Sequence, residues 1–362
     1  MSKIVGAVIP VLCCLFVGPN PGARMMKVVS ANYPASVIQN HLQAVYDLRE
    51  PGAVGPRSSI TKVLGRTPFP ANCGRFENGI VAITSSCTLS NWDFTGATIA
   101  FSVEGSSTVV TIQDSLFSLT CGSKTPIYGI EISDTETMPI VHLSHDKFQG
   151  NRCNDNDAWS AAYYVRAGAS LVIDHSLLLD LPFDVGKCTN SSLTMTSNYI
   201  RAYGWNANAD ADALQSISCV ADIDGNFFDI SDGAPLSLAH NFPGTPANSA
   251  IFDTLDVPST QNGALRLTNN IFYGYGLYGR TCCSNTNSAA NGLPFNVILG
   301  CNNHTVLDSV FTLSETIENN VIQKGNQGYY VSGGNLRSTA CIASWARNVD
   351  YDTSRIIPEP RF

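Results

Sequence analysis

The sequence predicts an all-β solenoid of stacked coils, and three observations support this fold class. A six-residue unit recurs along the chain, short alternating segments follow most copies of it, and charged residues make up only 14% of the 362 residues. Soluble domains usually contain about 25% charged residues. Asn, Ser, Thr and Gly must therefore supply much of the polar surface, which is typical of β proteins with many turns and argues against a helical bundle.

Residues 1–70 are predicted to form an N-terminal segment that attaches the solenoid or caps it. Within 35–49, apolar residues recur at helical spacing and predict an amphipathic helix lying over the first coil. Residues 4–17 are apolar and follow Lys3, as in a secretory signal peptide, but Pro10 interrupts them and 18–24 lack an A-x-A cleavage site. The signal-peptide interpretation therefore stays open.

The repeated unit runs from residue 89 to residue 322 and defines the main body of the chain. Neighbouring copies begin 22 to 31 residues apart in the first six, and segments 241–263 and 281–294 are predicted to be inserted loops farther on. The copies are LSNWDF from Leu89, IQDSLF from Ile112, LSHDKF from Leu143, IDHSLL from Ile173, MTSNYI from Met195, IDGNFF from Ile223, LTNNIF from Leu267 and IENNVI from Ile317.

Aligned copies give a mostly polar column at the fourth position and an apolar column at the sixth. Stacked coils need both, because one coil cannot bury its apolar face alone. We expect Asn in the polar column to adopt left-handed backbone geometry and to bond to neighbouring coils. The polar column is Trp92, Ser115, Asp146, Ser176, Asn198, Asn226, Asn270 and Asn320. The apolar column is Phe94, Phe117, Phe148, Leu178, Ile200, Phe228, Phe272 and Ile322.

A second strand follows in most coils, as in YGIEIS at 128–133, AYYVRA at 162–167 and ALQSIS at 213–218. Two or three short strands per turn resemble the right-handed parallel β-helix of the pectate-lyase-like superfamily and of phage tailspikes. We assign 71–345 to this β-helix, with a short helical cap before it, and 346–362 to a C-terminal tail. The resemblance implies a fold and no single activity.

The third position of the unit places His145 and His175 in adjacent coils, with Asp114 one coil earlier. We expect the two imidazoles to stack about 4.8 Å apart. Such a row can bind a metal or titrate near neutral pH. Stacked polar side chains more often hydrogen-bond along their column, so the sequence alone assigns no metal site.

The cysteines predict disulfides in an oxidising setting, either in a secreted protein or on a virion surface. Of the twelve cysteines, all but Cys13 and Cys14 are scattered from Cys73 to Cys341, without a CxxC or zinc-site spacing. Buried free thiols are the alternative. The short loop favours a Cys73–Cys87 bond, and the Cys282–Cys283 pair is a candidate partner for Cys301.

Segment 206–215 resembles the acidic segment that precedes a strand in many β-helix polysaccharide enzymes. It contains Asp210 and Asp212, and Asp184, Asp232 and His240 lie one coil away. The resemblance implies an acid and base for glycoside hydrolysis, or Ca²⁺ ligands in a lyase. The Asp-Asp pair, Gly-His-Gly and Arg-x-Lys of polygalacturonases are missing, so these carboxylates are alternatively turn caps.

Two further groups of residues belong to this comparison with polysaccharide enzymes. Basic residues of the middle coils are candidate bases for a lyase, although we expect them to be solvated surface charges; they are Arg166, Lys187 and Arg201. Aromatic rings beside the acidic segment are candidates for stacking on sugar faces; they are Trp159, Tyr164, Tyr203 and Trp205.

The net charge of −8 excludes the basic footprint that nucleic-acid binding needs, and beyond the N-terminus no apolar run could span a bilayer. The sequence narrowly favours a non-catalytic, phage-like virion protein without a cofactor. It would be a spike, appendage or capsid decoration, forming a homotrimer and binding virion subunits or a cell-surface glycan. The alternative is a secreted or periplasmic polysaccharide lyase or glycoside hydrolase, with Ca²⁺ if it is a lyase.

Overall fold

The computed structural model is a parallel β-helix whose strands stack into three long sheets. It describes residues 37–100, 108–122, 128–132, 138–153, 159–204, 211–229, 247–254, 262–273, 295–299, 313–324, 329–332, 342–353 and 355–359. Each coil passes from a strand of sheet 1 through a tight turn into sheet 2, and then through a loop into sheet 3. The predicted all-β solenoid is confirmed.

The strands of the three sheets are short and repeat in the same order along the chain. Sheet 1 contains β4 (Cys87–Ser90), β7 (Val109–Gln113), β10 (Ile140–Ser144), β13 (Ser170–Asp174), β16 (Ser192–Thr196), β19 (Val220–Asp224), β22 (Gly263–Thr268), β25 (Leu313–Glu318) and β28 (Ile342–Ala346). Sheet 2 contains β1 (Lys62–Val63), β5 (Trp92–Asp93), β8 (Leu116–Ser118), β11 (Lys147–Gln149), β14 (Leu177–Leu181), β17 (Tyr199–Tyr203), β20 (Phe227–Asp229), β23 (Ile271–Tyr273), β26 (Val321–Ile322) and β29 (Val349–Asp350). Sheet 3 contains β2 (Gly74–Glu77), β3 (Ile80–Ile83), β6 (Thr98–Ala100), β9 (Tyr128–Ile132), β12 (Ala161–Arg166), β15 (Asp184–Thr189), β18 (Ala211–Ile217), β21 (Ala247–Thr254), β24 (Phe295–Leu299) and β27 (Tyr330–Ser332).

The ends of the solenoid extend beyond the predicted boundaries of 71 and 345. At the start, β1 pairs in parallel with β5, and β2 and β3 form an antiparallel pair. At the other end, β26 pairs with β29. Ile357 lies in the core, and its N–H donates to the Asn348 carbonyl at 2.8 Å. Part of the predicted C-terminal tail therefore packs on the coils.

The apolar column predicted from the repeat lies inside the β-helix. Alternate residues of a strand point to opposite faces of its sheet, and all eight members of this column are fully buried. Several rings stack on those of the next coil, with centroids of Phe117 and Phe148 separated by 4.4 Å and those of Phe228 and Phe272 by 4.8 Å. The column is the continuous core that the stacked coils share.

The polar column forms a buried ladder of hydrogen bonds at the turn between sheets 1 and 2. The Asn198 N–H donates to Asn226 Oδ1 at 2.9 Å, and the Asn226 N–H donates to Asn270 Oδ1 at 2.9 Å. The Asn226 amide nitrogen also donates to the Met195 carbonyl at 2.9 Å. Each coil thereby satisfies turn groups that would otherwise be buried without partners. The predicted bonding between coils is confirmed.

The expected position of the left-handed backbone is wrong by one residue. Positive φ angles of 44° to 64° occur at the third position of the unit, directly before the ladder; its members are Asn91, Asp114, His145, His175, Ser197, Gly225, Asn269 and Asn319. The left-handed residue turns the chain between the two sheets. The following residue can then direct its side chain into the ladder.

Helix α1 (Val37–Asp47) does not cover the first coil, so the predicted cap is wrong in its position. Leu42, Val45 and Tyr46 pack against apolar side chains on the outer face of sheet 2. These include Phe227, whose ring meets that of Tyr46 edge-on at 6.0 Å, and Ile271. Sheet 2 would expose this apolar surface without a partner, and the amphipathic helix buries it instead. Among the described residues, no helix combines the length and apolarity needed to cross a membrane.

The described residues form three disulfides. The predicted Cys73–Cys87 bond is confirmed, with Cα atoms 5.3 Å apart. Cys121–Cys153 and Cys188–Cys219 span 32 and 31 residues, about one coil, so each ties neighbouring coils together. Cys282, Cys283 and Cys301 lie outside the described residues. The one-coil separation of the two other pairs was a signal that the sequence analysis missed.

Candidate functional site

The outer face of sheet 3 carries a group of aromatic and charged side chains, here called the sheet 3 patch. It is built by β9, β12, β15 and β18, which are neighbours in the sheet. Their parallel register aligns Glu131 with Tyr164, Tyr164 with Lys187, and Lys187 with Gln215. The patch comprises Tyr128, Glu131, Tyr164, Arg166, Asp184, Lys187 and Asp212.

Alternation along β12 explains why Tyr164 and Arg166 face outward. In β12, Tyr163 and Val165 are buried in the core, whereas Tyr164 is half-buried and Arg166 is exposed. Gly186 in β15 leaves room for the buried ring, because a Cβ there would lie 1.8 Å from Tyr163 Cζ. A glycine is thus required behind the patch, where two neighbouring coils approach closely.

Two tyrosines and an ion pair form one half of the patch. The rings of Tyr128 and Tyr164 lie 5.0 Å apart between centroids and are tilted by 46°. Arg166 Nη2 donates to Glu131 Oε1 at 2.7 Å, and the guanidinium lies 5.2 Å from the centre of the Tyr164 ring. Burial raises the pKa of Tyr128, so its hydroxyl remains protonated at neutral pH. This half offers aromatic faces beside several hydrogen-bonding groups.

The other half contains two acidic residues and a lysine. Asp184 and Asp212 are both buried, and the Asp212 N–H donates to Asp184 Oδ1 at 2.8 Å. Lys187 Nζ lies 2.9 Å from Asp184 Oδ2. Burial opposes the charge of Lys187, but the Asp184 carboxylate outweighs burial and raises the pKa of Lys187. Lys187 is therefore a cation fixed by its ion pair with Asp184, and not the solvated surface charge expected from the sequence.

The structure brings together two of the five predicted catalytic residues. Asp184 and Asp212 lie in adjacent strands, where Asp184 binds a lysine and a backbone N–H. Asp210, Asp232 and His240 lie outside the described residues. These contacts give Asp184 a structural role, which is closer to the alternative interpretation of these carboxylates than to catalysis.

Two of the four aromatic residues predicted to bind glycan lie in the core instead. Trp159 and Tyr203 are each 0% exposed, so neither ring can stack on a sugar. Trp159 packs directly over the backbone of Gly129, where a Cβ would lie 3.2 Å from the indole. Trp205 lies outside the described residues. Tyr164 does reach the surface, and the sequence analysis missed its neighbour Tyr128, which only the register of sheet 3 brings close.

The predicted row of histidines lies at the corner between sheets 1 and 2, away from the sheet 3 patch. The rings of His145 and His175 are stacked, with centroids 5.0 Å apart. Burial lowers the pKa of His145, and the nearby Arg57 and His175 lower it further. Asp114, one coil earlier, binds Arg57 through two side-chain hydrogen bonds of 3.3 Å.

Comparisons of the chain with protein-family models, curated proteins and solved structures give no match. The functional argument therefore depends on the fold and on the chemistry of its surface residues.

Proposed function

We propose that this protein is a β-helical virion protein, a spike, appendage or capsid decoration, that binds a cell-surface polysaccharide through the sheet 3 patch. The observation that carries the proposal is the Tyr128–Tyr164 pair beside the Arg166–Glu131 ion pair. Ligand sites typically combine aromatic surface with a few well-placed polar groups. The patch has this combination on adjacent coils of a rigid sheet.

Each component of the patch matches a feature of a sugar ring. The apolar face of a pyranose can lie on the ring of Tyr164, as apolar groups pack on aromatic faces. Arg166 and Glu131 offer a donor and an acceptor to neighbouring hydroxyls. Lys187 stays protonated and can pair with the carboxylate of an acidic sugar.

The same residues favour binding over catalysis. A lyase needs a base that accepts the proton beside the uronate carboxylate, and a lysine whose pKa is raised is poorly suited to this role. A glycoside hydrolase needs two carboxyl groups facing the bond that breaks, whereas Asp184 is held by Lys187 and by a backbone N–H. A secreted or periplasmic polysaccharide lyase or hydrolase is the second candidate, favoured by the adjacency of Asp184 and Asp212.

The virion setting is supported by the disulfides and by the architecture. Disulfides persist in oxidising environments, which include virion surfaces, and the described part of the chain contains three. A β-helix that binds glycan through a surface patch without cleaving it has a role closer to that of a tailspike-like protein than to that of a pectate-lyase-like enzyme. Tailspike-like assembly as a homotrimer belongs to the same proposal.

The test measures binding of the purified protein to immobilised neutral and uronate-containing polysaccharides. We expect one polysaccharide class to bind, and we expect Tyr164→Ala and Arg166→Ala each to weaken its binding at least about tenfold, as for a central contact residue. The matched controls are Phe76→Ala and Arg75→Ala in β2, whose side chains are exposed outside the patch. These controls should bind like the unaltered protein.

Two results would overturn the proposal. One is that no polysaccharide binds, and the other is that the patch variants bind as tightly as the controls. The same samples are assayed for new reducing ends and for unsaturated uronates after prolonged incubation. If the unaltered protein releases polysaccharide fragments and the Asp184→Asn and Asp212→Asn variants do not, the result would support the enzyme instead.

A further inference from the structure

A second cluster of chemically active side chains lies outside the sheet 3 patch. His145, Asp174 and His175 each place one potential ligand atom within 4.8 Å of the other two. They lie at the corner where β10 and β13 of sheet 1 turn into sheet 2. The three residues belong to adjacent coils, and the proposed function does not use them.

The fold itself creates this cluster. His145 and His175 have φ angles of 55° and 44°, so both occupy the same left-handed turn position of their coils. The register of β10 and β13 places Ser144 beside Asp174. Imidazoles at equivalent positions consequently stack, with an angle of 20° between the rings. Asp174 then comes next to the histidine that follows it.

One residue of the cluster, His145, has a ring nitrogen that lacks the partner a buried polar atom normally has. His145 Nδ1 is buried and forms no hydrogen bond within the described part of the chain. Asp174 is held in place, because Ser144 Oγ donates to Asp174 Oδ1 at 2.8 Å. His175 Nδ1 lies 3.1 Å from the same oxygen. The cluster therefore combines an unsatisfied nitrogen with an oriented carboxylate.

We propose that His145, Asp174 and His175 bind a divalent first-row transition-metal ion, with Zn²⁺ as the probe. Two imidazoles and one carboxylate are a ligand set that zinc takes in proteins, leaving a fourth position for water. Neighbouring ligands of a tetrahedral zinc lie about 3.3 Å apart, given metal–ligand distances of about 2.0–2.1 Å. The Asp174–His175 separation of 3.1 Å is close to this value.

The remaining geometry and charge are compatible with the ion. The His175 side chain is 45% exposed and can rotate toward His145. Arg57 lies close enough to lower the pKa of His145, and Asp114 partly neutralises its charge through an ion pair of 3.3 Å. Ser144 acts as the outer partner that orients a ligating carboxylate. A bound ion would link the coils that carry β10 and β13.

The test uses the full chain after treatment with a chelator. Zn²⁺ binding is measured by isothermal titration, and Co²⁺ binding is followed through the visible absorption of the tetrahedral ion. The variants are His145→Asn and His175→Asn, chosen because Asn occupies the same turn position in other coils, at Asn91, Asn269 and Asn319. The matched control is His142→Gln, which alters an exposed histidine of β10.

We expect one Zn²⁺ per chain in the unaltered protein and in His142→Gln, and a higher melting temperature when Zn²⁺ is present. Each turn variant should bind more than about tenfold more weakly, since loss of an outer partner alone costs 10- to 100-fold. Thermal unfolding of the turn variants without metal shows whether they fold. A variant that does not fold is replaced by the serine substitution, His145→Ser or His175→Ser, because Ser197 occupies the same turn position. Absence of saturable binding, or equal binding by the folded turn variants, would overturn the proposal.

Discussion

Asp146 is an acidic residue in the buried polar ladder, and its replacement by Asn tests the energetics of that ladder. The side chain is completely buried. Asp146 Oδ1 accepts the Ser115 N–H at 2.7 Å, whereas Oδ2 is buried without a hydrogen-bond partner among the described residues. Burial raises the pKa of Asp146 well above its usual value. The position occupied by Asn in later coils is thus an unfavourable place for a carboxylate.

The pH dependence follows from this raised pKa. Between the unfolded and folded pKa values of Asp146, the folded chain binds more protons than the unfolded chain does. The free energy of unfolding therefore decreases as pH rises through this window, by up to about 1.4 kcal/mol per pH unit for one proton. The loss is absent below the unfolded pKa and becomes constant above the folded pKa. An amide has no proton to lose in this range, so Asp146→Asn removes this dependence.

An amide at this position also supplies a donor that a carboxylate lacks. In the equivalent place, the Asn198 amide nitrogen donates to the Ile173 carbonyl at 2.9 Å. One hydrogen bond of this kind contributes about 1 kcal/mol net. We expect Asp146→Asn to be more stable than the unaltered protein at pH 7, and the difference to grow from pH 4 upward until the folded pKa is passed.

The assay is thermal and urea unfolding, followed by circular dichroism at several pH values from about 4 to 8, where a group titrating above the usual Asp pKa responds. Asp47→Asn is the control, because this exposed residue at the end of α1 loses the same charge. The reasoning is refuted if Asp146→Asn is less stable at pH 7. It is equally refuted if the difference from the unaltered protein does not change across the range.

Two further substitutions test the packing of neighbouring coils. Asn226→Ala should lower the free energy of unfolding by about 3 kcal/mol or more, because Asn198 donates to Asn226 Oδ1 from both its backbone and its amide, and both donors would lose this acceptor while buried. Urea unfolding measures the loss. A loss below about 1 kcal/mol would contradict a ladder that stabilises the fold. Gly186→Ala should cost about 1–3 kcal/mol, since its Cβ would overlap the Tyr163 ring. Unchanged melting in Gly186→Ala would show that the two coils do not approach as closely as described.

The repeat made the interior of this protein predictable. A six-residue unit fixes which side chains share a column, so the buried Phe117 and Phe148 and the Asn198–Asn226 bond followed from the spacing alone. The sequence failed where orientation depends on register between distant segments. The apolar face of helix α1 can be read from its own sequence. The surface on which it packs cannot, because that surface forms only when Phe227 and an apolar residue of another coil both point outward.

The surface site was less predictable for the same reason. Tyr163 and Tyr164 are consecutive, so alternation alone places one in the core and one outside, without showing which faces solvent. Tyr128 joins Tyr164 only because β9 and β12 pair in one particular register. Position in the chain drew attention to aromatic residues near the acidic segment. It could not separate a buried ring such as that of Trp159 from an exposed one.

The turn between sheets 1 and 2 explains how such a regular fold can carry a local function. The ladder position is constrained, because a buried polar side chain there needs a partner in a neighbouring coil, as Ser115, Asp146 and Asn198 each have. The residue before it must adopt positive φ, yet its side chain leaves the core and differs among Asp114, His145, Ser197 and Gly225. Chemistry can therefore change at that position without loss of the ladder. Histidines in two consecutive coils form a pair there, and Asp174, immediately before His175, comes within reach of both.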